Sequence, residues 1–128
     1  MTTEQKVNLK LAKLLVWIVE FNEIRNELLK ERGVRATDMP LPCLMTFLYI
    51  AAHGPCYGQD IAKALGMTPG AISRNTDYLL RIRSHKQGEA PEPGLNLITK
   101  RTDPWNARRK VLELSSHGEL LIEKLLSM

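Results

Sequence analysis

The sequence lacks a long hydrophobic segment, and this absence excludes a protein that spans a membrane. Near the N-terminus the longest purely apolar run covers residues 14–19 and is bracketed by Lys13 and Glu20. It is far shorter than the roughly 20 residues that cross a bilayer. A basic stretch, an apolar stretch and small cleavage-site residues do not occur in the order typical of a signal peptide. We therefore expect a cytoplasmic protein with no membrane contact.

The sequence is also poor in residues that bind metals or react with substrates. Its two cysteines, Cys43 and Cys56, have apolar neighbours, which predicts reduced, buried thiols rather than a disulfide. His53 is near Cys56, but no second close pair supplies the four ligands of a structural zinc site. The other histidines, His85 and His117, belong to separate segments, and no nucleophile motif or phosphate-binding loop occurs. We expect no metal, no cofactor and no enzymatic activity.

Basic charge is present, and it is concentrated in one third of the chain. The formal net charge is +4 over 128 residues, of which 44% are hydrophobic, as in an ordinary globular domain. Residues 74–110 contain nine Lys or Arg against four Asp or Glu, whereas the remainder contains nine basic and ten acidic residues. A local cationic surface suits phosphate backbones, although charge alone is also consistent with a solvated face. One domain covering residues 1–128 is expected.

The N-terminal part of the chain predicts a long helix that is apolar on more than one face. Helix-forming residues run from Thr2 or Thr3 to Arg32, and Gly33 follows as a stop signal. Such a helix would be roughly 45 Å long at about 1.5 Å per residue. We expect it to pack on its own domain and on a second copy, unless its own core wraps it completely. The residues that we assign to a dimer interface on this helix are Leu11, Leu14, Leu15, Trp17, Ile18 and Phe21.

The strongest pattern is a helix-turn-helix within residues 58–83. Ala62 stands four residues before Gly66, and Ile72 stands six residues after it. The small Ala62 lets two helices approach closely, Gly66 takes a turn with positive φ, and Ile72 fills the angle between the helices. The N-terminal half of the second helix then projects, free to enter a DNA major groove. A helix hairpin with a purely structural role is the alternative interpretation.

The second helix of this motif has an apolar inner face and a polar outer face. Thr68 is its predicted N-cap, and Pro69 occupies the first helical position. Because Gly70 and Ala71 are small, the N-terminal tip of this helix is narrow. The inner face is predicted to contain Ile72, Thr76, Leu79 and Ile82, and the outer face Gly70, Ser73, Arg74, Asp77 and Arg81. Next to the tip, Ser73, Arg74 and Asn75 offer a hydroxyl, a guanidinium and an amide, which bind phosphates and base edges.

Three further elements surround this motif. Residues 44–53 are apolar with helical spacing and predict a buried helix ahead of it. After a Pro- and Gly-rich loop over residues 84–94, residues 95–100 and 110–114 alternate like two strands around the basic segment RTDPWNARR. A capping-box pattern, Ser116 to Glu119, then opens a short amphipathic helix over residues 116–127. On this last helix we assign Leu121 and Leu125 to the dimer interface.

In this order the elements resemble the MarR family of winged-helix transcriptional regulators, mainly α-helical with a small β-hairpin. The resemblance covers nearly the whole chain and is sharpest in QDIAKALGMTPGAISRNTDYL and in TDPWNARRKVLELSSHG. The second segment matches the family's wing pattern at Asp103, Asn106, Arg108 and residues 114–118. The resemblance implies that the helix over residues 68–83 lies in the major groove and that Arg108 reaches the minor groove. It also implies that the terminal helices pair two subunits.

From the motif and the resemblance together, we expect a homodimer that binds specific double-stranded DNA and regulates transcription. The residues assigned to DNA binding are Thr68, Gly70, Ala71, Ser73, Arg74, Asn75, Asp77, Arg81, Arg101, Trp105, Asn106, Arg108 and Arg109. Asn106 replaces the family's usual acid, so an ion pair within the wing would weaken or become a neutral hydrogen bond. The longer loop at 84–94 and the short C-terminal helix also depart from the family, and they fit a phage or plasmid member.

The sequence is also consistent with other functions. Trp105 and the nearby cations could serve a DNA-handling protein of low sequence specificity, for example a single-strand binder or a replication accessory. A winged-helix module could instead dock on RNA polymerase or another protein. Members of the family often sense a small-molecule effector between the dimer helices and the DNA-binding lobe. For Trp105 we favour a role as an anchor of the turn, against the protein or a sugar backbone, over a role as a platform for an unpaired base.

Overall fold

The computed structural model describes residues 1–31, 33, 39–80, 82–83 and 92–127. Within these residues the chain is mainly helical with a small antiparallel sheet. The helices are α1 (Thr3–Glu31), α2 (Leu41–His53), α3 (Gly58–Leu65), α4 (Pro69–Leu79) and α5 (Ser116–Leu126). The strands are β1 (Cys56–Tyr57), β2 (Ile82–Arg83), β3 (Glu92–Pro93), β4 (Ile98–Asp103) and β5 (Asn106–Leu114).

The core lies where α2 packs against the C-terminal part of α1, α4, α5 and the root of the sheet. Phe47 and Ile50 of α2 are fully buried, and the Phe47 ring meets Phe21 of α1 at 5.5 Å between ring centroids. Helix α2 begins three residues earlier than the predicted residue 44, because Pro42 is tolerated in the first helical turn, where its missing N–H has no partner to lose. The core therefore forms behind the helix-turn-helix.

Among the described residues, α1 packs into this core through its C-terminal part only. Phe21 and Leu29 are buried, and Arg25 lies between them on the same helical face at 2% exposure. The Arg25 guanidinium donates to the Tyr78 hydroxyl at 3.1 Å and to Asn22 Oδ1 at 2.8 Å. A buried, hydrogen-bonded cation thus joins α1 to α4.

The end of α4 differs from the sequence prediction. The helix was expected to continue to residue 83, but it ends at Leu79, and Leu80 has an extended backbone with φ −73° and ψ 164°. The carbonyls of Tyr78, Leu79 and Leu80 accept backbone N–H groups from residues 95–97. These tertiary hydrogen bonds stop the helix, so Ile82 lies in strand β2, paired with β3, and the prediction that it belongs to the helix's inner face is wrong.

The same hydrogen bonds shift the start of the hairpin. Strand β4 begins at Ile98 rather than at the predicted residue 95, because Leu95 and Leu97 bond to the end of α4 and Asn96 takes a left-handed φ of 58°. Strand β5 begins four residues before the predicted residue 110 and lies between β1 and β4 in an antiparallel sheet. The predicted hairpin is present, but its strands continue to Asp103 and from Asn106, closer to the turn than the predicted residues 100 and 110.

The junction between β5 and α5 is fixed by a cap and a glycine. Ser115, not the predicted Ser116, is the N-cap, and its Oγ accepts the Gly118 N–H at 3.0 Å while donating to the Asn96 carbonyl at 2.6 Å. A Cβ on Gly118 would collide with the Leu97 carbonyl, so only glycine allows this close approach. Helix α5 is thereby fixed against the segment that leads into β4.

Candidate nucleic-acid interface

The turn between α3 and α4 has the geometry expected from the sequence. Gly66 ends α3 in the left-handed region, with φ 65° and ψ 35°, and its N–H bonds to the Ala62 carbonyl. Thr68 caps α4, since its Oγ1 accepts the Ala71 N–H at 3.1 Å, and Pro69 follows at the first helical position. Ile72 is buried, and its Cγ2 lies 3.3 Å from the place where a Cβ of Gly58, the first residue of α3, would be. The N-terminus of α4 is therefore held out from the body by local hydrogen bonds and one apolar contact.

The tip of α4 presents small and polar groups. Gly70, Ser73 and Arg74 are exposed, and Ala71 is half-buried. Arg74 Nη1 lies 3.6 Å from the place where a Cβ of Gly70 would be, so the guanidinium folds along the tip over the glycine. These residues form a slim surface with one cation that is accessible from solvent.

Asn75 does not belong to this surface. Its amide Nδ2 donates to Thr46 Oγ1 at 3.3 Å and contacts Met67 Sδ at 3.6 Å, so the side chain faces α2. The reason is helical periodicity, because Asn75 lies one turn after the buried Ile72 and shares its face. We correct its assignment from DNA contact to a packing role. Asp77 is half-buried, and Arg81 lies outside the described residues.

The wing is the part of the β4–β5 hairpin that extends beyond the body. Between Thr99 and Lys110 every residue is exposed except Asp103, and Pro104 and Trp105 form the turn at the tip. Asp103 Oδ1 accepts the Trp105 N–H at 2.9 Å, and Asn106 Oδ1 accepts the Arg108 N–H at 3.0 Å. Asn106 thus makes a neutral hydrogen bond to the backbone, in the position of the family's usual acid. Two such side-chain bonds stiffen the tip.

A small polar cluster ties the wing to the start of α3. The Tyr57 hydroxyl donates to Asp103 Oδ2 at 2.8 Å, and the Arg109 guanidinium lies 4.6 Å from the centroid of the Tyr57 ring. Hydrogen bonds from the Trp105 N–H and from Tyr57 lower the pKa of Asp103, helped by Arg109 and Arg101. The hydrogen bond to Asp103 raises the pKa of Tyr57. The carboxylate and the neutral phenol therefore both persist at neutral pH and hold the wing in place.

Between the wing and α4 lies an open cleft of about 470 Å³ with a cationic rim. Lys100, Arg108, Arg109 and Lys110 line it from the wing, and Pro69 and Ser73 line it from α4. Lys110 Nζ donates to Thr102 Oγ1 at 2.9 Å, and Arg101 pairs with Glu113 at 3.2 Å, about half of the Arg101 side chain staying exposed. The arrangement brings the predicted wing cations Arg108 and Arg109 beside the predicted recognition helix, whereas Arg101 does not line this cleft.

Several solved structures superpose on nearly the whole chain. Rv1404 from Mycobacterium tuberculosis has a TM-score of 0.60 and 16% identity over 99% of this chain and 73% of that one. MarR has a TM-score of 0.55 and 18% identity over 99% and 74%. A MepR mutant from S. aureus, bound to an oligodeoxyribonucleotide, has a TM-score of 0.54 and 22% identity over 99% and 76%. The chain has the MarR-type winged-helix fold.

This similarity confirms the predicted fold class, a winged helix-turn-helix that is mainly α-helical with a small β-hairpin. No protein-family profile matches the sequence, and a search of curated proteins finds no match. The assignment therefore depends on three-dimensional structure. No helix among the described residues is both long and apolar enough to cross a membrane.

In this MarR-type fold the residues assigned to a dimer interface divide into two groups. Leu11, Leu14, Leu15 and Ile18 are exposed and Trp17 is half-buried, whereas Phe21, Leu121 and Leu125 are buried in the core of the same chain. We correct the second group to core residues, because their side chains are already covered. Other apolar residues of α1 and α5 are also exposed, including Val7, Leu9, Val16, Val19, Leu120 and Leu126.

Both cysteines of the fold are free and buried. The pKa of Cys56 is raised to about 11, mainly by burial and to a lesser extent by the nearby Asp60 carboxylate. Its thiol therefore stays protonated at neutral pH. The Cys43 thiol lies 3.6 Å from the Asn75 carbonyl, to which it donates. Across the described residues no three His, Cys, Asp or Glu side chains are close enough to hold a metal ion.

Tyr57 is the functional candidate that sequence reasoning missed. It belongs to β1, a two-residue strand too short to show alternation, and its register opposite Val111 of β5 is set by tertiary pairing.

The sequence favoured Trp105 as an anchor of the turn. The indole is 93% exposed, so it does not anchor the turn against the protein. Its backbone N–H, bonded to Asp103, has that role instead.

Proposed function

We propose that this chain is a transcriptional regulator that binds specific double-stranded DNA as a homodimer. Helix α4 lies in the major groove, and the wing lies in the adjacent minor groove. The observation that supports this most directly is the shared cleft, where Ser73 of α4 faces a rim formed by Lys100, Arg108 and Lys110 of the wing. Groups suited to base edges and groups suited to phosphates thus adjoin each other.

The DNA-bound MepR mutant has the same fold, which agrees with this proposal without fixing any contact. Within the proposal, Arg74 and Ser73 contact base edges or phosphates from the tip of α4, and Thr68 adds a hydroxyl beside its capping bond. Gly70 and Ala71 allow the backbone to approach the groove. Arg101, Arg108 and Arg109 supply charge to the wing, where a narrow, electronegative groove attracts arginine.

The second part of the proposal is that a second copy covers the N-terminal half of α1. Leu11, Leu14, Leu15 and Ile18 have the i, i+3, i+4, i+7 spacing of one helical face and are each more than 40% exposed in the single chain. An apolar stripe of this length on a free helix is unfavourable in water, and pairing with its own copy removes it. A dimer also gives two recognition helices, which can meet half-sites one helical turn, about 34 to 36 Å, apart.

Selection of bound sequences from a random duplex library, with the full chain, tests the DNA-binding part. We expect a pseudo-palindromic site. On that site the wild type should prefer duplex to single-stranded DNA, and the affinity should fall steeply with salt. Stronger binding to the single strand would contradict the proposal in favour of a single-strand function. Failure to bind either form at low salt would favour a protein-docking module, with RNA polymerase as a partner to test.

A further inference from the structure

The wing tip carries an unshielded indole on a turn that hydrogen bonds hold in one shape. Trp105 is 93% exposed, whereas Trp17 is half-buried. The side-chain oxygens of Asp103 and Asn106 accept the backbone N–H groups of Trp105 and Arg108. The backbone at the tip is therefore fixed by bonds that do not involve the indole ring. The ring is free to meet a partner.

The surroundings of this indole are cationic. The charged side chains that are exposed on the neighbouring strand segments are basic, namely Lys100, Arg101, Arg108, Arg109 and Lys110. The acid at the tip, Asp103, is buried and has its two oxygens bonded to Tyr57 and to the Trp105 N–H. An apolar ring among cations matches a surface with a negative rim and an apolar interior. A DNA groove has this character, since phosphates flank sugars and stacked bases.

We propose that Trp105 is a wedge that enters the minor groove and partly unstacks one base step. This inference rests on the proposed function, because it requires the wing to reach that groove. DNA-binding proteins insert apolar side chains between base steps and kink the duplex towards the major groove. Pyrimidine–purine steps unstack more readily than others, so the wedge selects them through deformability. The wing then contributes specificity at a step where it needs no hydrogen bond to a base.

If Trp105 is a wedge, it and Arg108 contribute to binding in different ways. Arg108 lines the cleft and contributes charge, which acts on any sequence and weakens with salt. Trp105 distorts the duplex, so its effect depends on the sequence being distorted. Loss of Arg108 should lower affinity for every duplex, whereas loss of Trp105 should remove the distortion and the preference for one step.

The test places 2-aminopurine, a base whose fluorescence rises when it unstacks, at successive steps of the selected duplex where the wing is expected to bind. At saturating protein, we expect wild type to raise the fluorescence at one step in each half-site. Arg108→Ala should give the same rise once saturated, and Trp105→Phe should keep part of it. Trp105→Ala should return the signal to that of free DNA.

The outcomes separate this inference from the proposed function. A wild type that binds the duplex without any fluorescence rise, or a rise that persists in Trp105→Ala, would overturn the wedge alone. A wild type that binds no duplex would overturn both proposals. Because the ring is almost fully exposed, Trp105→Ala should melt at the wild-type temperature, so a lost signal is not a folding defect.

A second measurement tests the specificity that the wedge implies. Replacing the pyrimidine–purine step at that position by a single purine–purine step, which unstacks less readily and does not create a narrow A-tract, should weaken wild-type binding by about fivefold, near the lower end of what one mismatched base pair costs. The same replacement should not change the affinity of Trp105→Ala. Equal losses in wild type and Trp105→Ala would contradict the wedge, because the discrimination would then come from another contact.

Discussion

The N-terminal half of α1 and the tip of the wing both expose large apolar side chains, yet we propose different partners for them. Leu15 is 62% exposed within a stripe of similar side chains, whereas Trp105 stands alone at 93%. The helix has charges of both signs around its stripe, and the wing is surrounded by cations. An extended apolar stripe suits an identical helix, while a single rigid ring among cations suits a nucleic acid. The proposals for the two surfaces therefore depend on the extent of the exposed apolar area and on the surrounding charge, not on exposure alone.

The strongest test of this comparison places a charged side chain in the exposed apolar stripe of α1. We expect Leu15→Glu to dissociate the proposed dimer, since it would place two carboxylates in an apolar contact. Loss of one of two linked binding sites should lower DNA affinity by about 10² or more. Sedimentation at micromolar concentration and DNA titration measure the two effects. Leu15→Met is the matched control and should keep both properties.

Removal of residues 1–20 should have the same effects or destabilise the protein. A wild-type chain that sediments as a monomer, or a Leu15→Glu variant that stays dimeric, would contradict the proposed role of α1. The α1 stripe would then need another partner, and the contrast with the wing would no longer hold.

The next largest effect is expected at the tip of α4, where two neighbouring residues face opposite ways. Arg74 is exposed, whereas Asn75 bonds to Thr46 and Met67. Arg74→Ala should weaken specific binding by about 1 to 3 kcal/mol and relax the preference at one base, if the guanidinium reads a base edge. Binding titrations on the selected site and on its single-base variants measure this.

Asn75→Ala is the control for that experiment. It should lower the free energy of unfolding by about 1 kcal/mol through the lost hydrogen bond, and leave the sequence preference unchanged. An equal loss on all sequences for Arg74→Ala would make Arg74 a phosphate contact. A change of base preference in Asn75→Ala would contradict the inward orientation of its amide.

The helix-turn-helix shows which features of the structure the sequence can predict. Gly66, Thr68 and Pro69 act through local backbone geometry, so the turn and the start of α4 could be predicted from the sequence. The end of α4 depends on carbonyls of residues 78–80 that bond to residues 95–97, and no local pattern reveals such a contact. The inward amide of Asn75 and the two-residue strand of Tyr57 depend on tertiary neighbours in the same way. Local signals predicted the elements, and tertiary contacts decided their ends and orientations.

At the wing, two variants distinguish binding through charge from binding through distortion of the duplex. Arg108→Ala should weaken binding to all duplexes and lower the slope of log affinity against log salt by about one, because one phosphate contact is lost. Trp105→Ala should change duplex affinity less and leave the salt slope unchanged, since an indole carries no charge. Titrations of both variants at several salt concentrations distinguish them. If Trp105→Ala abolished single-strand binding while Arg108→Ala left duplex binding intact, the wing would be a single-strand platform.

The smallest expected effect concerns the cluster that holds the wing, and its readout is a titration. The Trp105 N–H and the Tyr57 hydroxyl both lower the pKa of Asp103, so this carboxylate stabilises the folded state above its unfolded pKa of about 3.9. The contribution is lost as the pH falls through the lowered folded pKa, which confines the effect to pH below about 4.

Tyr57→Phe removes one of the two hydrogen bonds. In that variant the pKa of Asp103 should rise towards its ordinary value, as measured by NMR of the side-chain carboxyl, with DNA binding near neutral pH changed little. Tyr49→Phe on α2, whose ring stacks on His53, is the matched control and should leave Asp103 unaffected. An Asp103 titration that is the same in Tyr57→Phe and wild type would mean that the phenol does not hold the carboxylate in solution, and the wing would then be anchored by its backbone bonds alone.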